Sequence, residues 1–175
     1  MDNGKLKNMF AKKSFWISFF IFHFSFFIFG CYSFTGSSVP PHLHTVAVPL
    51  FEDLSGFGEP NLREKLTRKV IDLIVSDNSL QIVDRTNSDS IIEGAVTNIN
   101  DAPSIIAPGE QVRTRRVTVT VKASFTDMKL RKKVWEKDFS RWGEYVQGSQ
   151  SRTAAIDEAI KQIAEDMLIE TVSGW

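Results

Sequence analysis

Between Val112 and Thr126 the chain alternates residue by residue, and no other stretch constrains its fold as strongly. Val117, Val119, Val121, Ala123 and Phe125 fall on one side of an extended backbone. Thr114, Arg116, Thr118, Thr120, Lys122, Ser124 and Thr126 fall on the other. Side chains of a strand point alternately to its two faces, so this period of two predicts a long strand with one apolar and one polar face. The apolar face needs cover, and the polar face must meet water, a ligand or a partner.

The flanking segments supply the cover. Thr45 to Phe51 alternates through Val46, Val48 and Leu50 and predicts a strand, with Pro49 favouring an edge or a strand end because it has no N–H for a ladder. Glu52 to Pro60 reads as a loop. Asn61 to Ser76 spaces Leu62, Leu66, Val70, Leu73 and Ile74 as a helical stripe, with Arg63, Lys65, Arg68 and Lys69 largely off it. Short strands follow at Leu80 to Asp84 and at Ser90 to Asn100, the second with Ile92, Gly94 and Val96 on one side. Asp101 to Gln111 reads as a long loop carrying Ile105 and Ile106. Lys133 to Tyr145 continues as a strand with Trp135 and Phe139 on one face, and Arg152 to about Val172 closes as a helix striped by Ile156, Ile160, Ile163 and Met167. The expected fold is an α+β two-layer sandwich, two helices packed on one face of a four- to five-stranded mixed sheet.

The amino-terminal part has another logic. Lys5, Lys7, Lys12 and Lys13 precede the greasy run Ser14 to Phe29, and Ile28-Phe29-Gly30-Cys31 ends it with the chain's single cysteine. A basic region, an apolar region and a small residue before a cysteine form a bacterial lipoprotein signal. The competing reading is a membrane-spanning anchor. A spanning helix needs about 20 apolar residues, and this run is shorter and carries Ser18, His23 and Ser25. A lone thiol makes no internal disulfide, so Cys31 is expected to be lipidated after removal of residues 1–30. Tyr32 follows it instead of aspartate, which favours the outer membrane. Residues 31–44, rich in Gly, Ser and Pro, are expected to form a lipidated tether, and residues 45–175 the folded domain.

Composition narrows the function. Taking four lysines and Asp2 from 21 basic and 21 acidic residues leaves the processed chain at a formal charge of −3. Nucleic acid, which calls for a strongly basic face, is not an expected partner. Acyl chains bury roughly 0.8 kcal/mol per methylene and hold a protein at a membrane without a polybasic patch. No nucleophile elbow or glycine-rich phosphate loop is present, and no cofactor is expected. His42 and His44 form at most half a metal site, with solvated tether residues as the plainer reading, so no metal is expected. Asp84, Glu93 and Asp127 are expected at strand ends or on polar faces in solvated roles. An enzyme is not expected.

The chain resembles the LPS-assembly lipoprotein family LptE. The likeness starts at Cys31-Tyr32-Ser33-Phe34-Thr35-Gly36, without the glycine usual between cysteine and tyrosine. It runs on through Thr45-Val46-Ala47-Val48-Pro49-Leu50-Phe51-Glu52-Asp53, Leu66-Thr67, Asp89, the Ile92-Gly94-Val96 alternation, Asp127, Trp135 and the alanines of the last helix. The resemblance implies a lipid-anchored outer-membrane protein facing the periplasm. Its partner would be an LptD-like β-barrel translocon, which it would help to fold and to insert lipopolysaccharide into the outer leaflet.

Arg115, Arg116 and Lys122 on the long strand are candidate lipopolysaccharide contacts, since arginine forks match phosphate oxygens. Arg113 lies beside them, and Lys129, Arg131, Lys132 and Lys133 cluster at the turn after the strand. Their plainer reading is edge and turn charge that keeps a strand from aggregating. The rival function is a periplasmic lipoprotein that activates a peptidoglycan synthase or serves a secretion pore as an accessory subunit; a small lipoprotein hydrolase would need a nucleophile or metal set not found here.

Overall fold

The computed structural model describes residues 39–104, 114–149, 151–173 and 175. Cys31, Arg113 and the Ile105-Ile106 pair lie outside the described residues, as does most of the segment read as tether. Within the described residues two helices pack on one mixed sheet of six strands, the two-layer α+β arrangement expected. No helix among them is long and apolar enough to cross a membrane.

Three long strands dominate: β4 (Ser90–Pro103), β5 (Thr114–Asp127) and β6 (Lys132–Val146) form an antiparallel meander. The short strands β1 (Thr45–Ala47), β2 (Glu52–Asp53) and β3 (Gln81–Ile82) complete the sheet in the order β3-β1-β4-β5-β6, with β2 also pairing to β4. The strand expected from Thr45 to Phe51 is thus split. Pro49 cannot donate to the ladder, so pairing on β4 stops at Ala47 and resumes at Glu52. That resumption makes a strand of a segment expected to be loop and raises the count from four or five to six.

Helix α1 (Leu62–Asp77) starts after Asn61 and ends at Asn78, both in the left-handed conformation that asparagine tolerates. It buries Leu62, Leu66, Thr67, Val70 and Ile74, and the Thr67 hydroxyl accepts the Phe51 N–H at 3.0 Å, fixing the path between β1 and β2. Helix α2 (Arg152–Ser173) buries Ile156, Ile160, Ile163 and Met167 as its stripe predicts. Ala155, Ala159 and Ala164 share that face and bring the helix close to the sheet. At Gly143 of β6 the approach leaves no room for a side chain: a Cβ there would stand 2.2 Å from the Ala155 carbonyl oxygen.

The sheet's helix side carries the alternation read from the sequence: Val117, Val119, Val121, Ala123 and Phe125 are buried. On β4 the register slips between Val96 and Asn98. Ile92, Gly94 and Val96 face the helices before this bulge, and Ile99 and Asp101 after it, because one extra residue reverses the parity of a strand. The bulge lets β4 run to Pro103, past the loop start expected at Asp101.

Candidate functional site

Among the described residues no helix lies over the opposite side of the sheet, and its register can be read as rows across β4, β5 and β6. Ala102, Arg116 and Glu144 form one row; Asn100, Thr118 and Trp142 the next; then Asn98, Thr120 and Ser140; then Ala95, Lys122 and Asp138. Trp142 is 46% exposed, and the Arg116 guanidinium stacks over its ring at 3.9 Å from the centroid. Glu144 accepts from Arg116 at 2.9 Å and from the Ser104 hydroxyl. Those two donors, Ser104 first, hold its carboxyl below the usual range. At the other end Glu136 bridges Lys133 at 2.6 Å and Lys122 at 3.2 Å and is lowered by both. Next to Lys122 a groove of about 440 Å³ is lined by the apolar Pro49, Leu50 and Leu54 and by the charged Arg85, Glu93 and Glu136. Leu50 and Leu54 are exposed there.

The three candidate cations do not converge. Arg116 and Lys122 stand on the open face, three rows apart. Arg115 points to the helix side, as its parity requires. Its Nε donates to Asp101 Oδ1 at 2.8 Å, and Tyr145 donates to Asp101 Oδ2 at 2.8 Å. Asp101 raises the Arg115 guanidinium further, and burial followed by Asp101 pushes the Tyr145 phenol up. The sequence reading did not single out Trp142. A signal was available, because it stands seven positions after the buried Trp135 and an odd offset along a strand reverses the face.

A second cluster sits at the end of the sheet where the domain begins. Leu43 is buried in the core and Val39 packs against it, so the fold starts before Thr45. His42 donates from Nε2 to Asp127 at 2.6 Å, and the Leu130 N–H reaches the same carboxyl at 2.8 Å. Burial raises the Asp127 pKa, but His42 and the turn's N–H groups outweigh it, and the carboxyl lies below the usual range. Asp127 is therefore buried and partnered, correcting the solvated role expected for it. The physical reason is that residues 39–44 fold back over the β5–β6 turn. Asp89 accepts the N–H groups of His44 and Thr45 and the Lys129 ammonium; these bonds, the His44 N–H first, bring it down to about 2. The His42 imidazole is taken up by Asp127, and no cluster of three metal-ligating side chains occurs among the described residues.

A family model described as LptE, lipopolysaccharide-assembly, matches residues 43–171. The chain belongs to the LptE family. LptE-family proteins are non-enzymatic assembly lipoproteins, associated with lipopolysaccharide assembly at the outer membrane. No curated protein sequence matches the chain. Solved structures share its fold at low identity. A hypothetical protein from Chlamydia trachomatis superposes with a TM-score of 0.59 at 7% identity, covering 76% of this chain and 99% of its own. A protein from Xanthomonas campestris gives 0.53 at 13%, covering 78% and 91%. An uncharacterized lipoprotein B from Nitrosomonas europaea gives 0.52 at 14%, covering 79% and 87%. The open face of this LptE-family fold offers stacking, hydrogen bonding and ion pairing, which suit binding rather than bond making.

Proposed function

We propose that this LptE-family lipoprotein is held at the outer membrane by acyl chains on Cys31, faces the periplasm, and partners an LptD-like β-barrel in delivering lipopolysaccharide to the cell surface. The family match over residues 43–171 carries this reading. In it, residues 1–30 are the signal peptide and the residues after Cys31 tether the domain. Direct lipopolysaccharide contact is assigned to the open face, where Arg116 and Lys122 stand three rows apart on β5 and the groove beside Lys122 adds an apolar wall for acyl carbon. Both cations would exchange a carboxylate for a phosphate, a swap between ligands of similar strength for an arginine or lysine. Arg115, committed to Asp101 on the helix side, is left out of this contact.

Depletion in the native host tests the proposal. The barrel should become scarce or misassembled, lipopolysaccharide should fail to reach the surface, and crosslinking in the native envelope should recover a barrel protein. Cys31→Ala should leave an unprocessed precursor that takes up no fatty-acid label. Normal barrel assembly with normal surface lipopolysaccharide in depleted cells would overturn the partner role.

A further inference from the structure

The middle of the open face has a chemistry distinct from its ends. Two adjacent rows, Asn100-Thr118-Trp142 and Asn98-Thr120-Ser140, present amides, hydroxyls and one indole with no charged group among them. Asn98, Asn100, Ser140 and Trp142 are exposed, and Thr118 and Thr120 half-buried. On one side Arg116 is neutralised by Glu144 at 2.9 Å, and on the other Lys122 by Glu136 at 3.2 Å. A phosphate or other polyanion meets no uncompensated cation in these rows.

We propose that these two rows are a saccharide-binding platform, and that the sugar portion of lipopolysaccharide is its ligand. The inference rests on the function proposed above and names which part of the molecule is read there. A pyranose presents C–H groups on one ring face and hydroxyls around its rim. The C–H face packs on an amphipathic indole such as Trp142, which the Arg116 fork already holds in place. The rim hydroxyls both donate and accept, as do the asparagine amides and the threonine and serine hydroxyls beside the indole. Rows two residues apart along a strand stand about 7 Å from each other, so an extended glycan keeps contact over more than one residue. The two rows themselves carry no charge, so they favour uncharged sugar, and phosphate is left to Arg116 and Lys122 beyond their ends.

Full-length lipidated protein in detergent micelles is titrated with three probes: whole lipopolysaccharide, lipid A alone, and the deacylated, dephosphorylated oligosaccharide. The oligosaccharide should bind, should displace whole lipopolysaccharide, and should do so equally at low and high salt, because no exposed charge is used. Trp142→Ala should weaken it about tenfold and Trp142→Phe much less, with thermal stability near wild type in both. Asn98→Ala combined with Ser140→Ala should weaken it as well without touching the indole. If whole lipopolysaccharide and lipid A bind but the oligosaccharide does not, the platform is refuted and direct lipopolysaccharide contact stands. Oligosaccharide binding unchanged in Trp142→Ala and in the Asn98/Ser140 variant also refutes it. If none of the three probes binds, direct contact and the platform fail together.

Discussion

At the scale of single residues, the protein contrasts polar groups that are over-partnered with one that is not. Asp89 and Asp127 each collect several donors, whereas the indole N–H of Trp135 is buried with no hydrogen-bond partner among the described residues. Trp135 stacks with Phe125 at 6.2 Å and meets Phe139 edge-on at 5.6 Å. Its value to the fold is therefore its ring and not its N–H. Trp135→Phe should cost less than about 1 kcal/mol in urea unfolding, since it removes an unsatisfied donor while keeping an aromatic ring, whereas Trp135→Ala should cost about 3–5 kcal/mol through the cavity it opens. Equal losses in the two variants would show that the N–H finds a partner in solution. Which residues take partners was only partly legible in the sequence. Arg115 and Arg116 look alike in a string, yet parity sends one to Asp101 and the other to Trp142 and Glu144. Nothing local to Asp127 announces that His42, 85 positions away, will cover it.

Elements were far more legible than pairings. A period of two along β5 and of nearly four along both helices follows from local geometry alone, so the burial of Val117 to Phe125 and of Ile156 to Met167 emerges from spacing. What spacing does not contain is contact between elements. The β4 bulge, the return of residues 52–53 to the β4 edge, and the approach of α2 to β6 are all tertiary events. Gly143 reports the last of these. In the sequence it is one glycine in a strand, where it weakens the local structure; in the fold it is the gap through which the Ala155 carbonyl reaches the sheet. Gly143→Ala should lift the first turn of α2 and cost roughly 1–3 kcal/mol by overpacking, as measured by chemical denaturation. A neutral result would mean that α2 slides along β6 at no cost. The open face was legible as a polar surface, but its neutral centre was not, because pairing Thr118 with both Asn100 and Trp142 requires the register.

For the molecule as a whole, stability at neutral pH depends on carboxylates kept ionised where the chain enters the domain. Asp89 is held down to about 2, and Asp127 is also lowered. A depressed carboxylate stabilises the fold at every pH above its unfolded value, about 4, and that contribution disappears as the pH falls through the folded value. Unfolding midpoints should stay level from pH 7 to about 5 and drop between about pH 4 and 2. Asp89→Asn should lower the neutral-pH midpoint and flatten the acid slope; a slope identical to wild type would place the acid sensitivity elsewhere. The same bonds decide how the domain carries load. A lipoprotein is pulled through its amino-terminal side whenever its bound partner and its membrane anchor move apart. With the anchoring through Cys31 proposed above, that pull would arrive at residues 42–45, which are fastened to the start of β4 through Asp89 and to the β5–β6 turn through Asp127 and Lys129. Those bonds would distribute the tension over the three long strands at once and shield the three-residue β1 from being peeled off the sheet on its own.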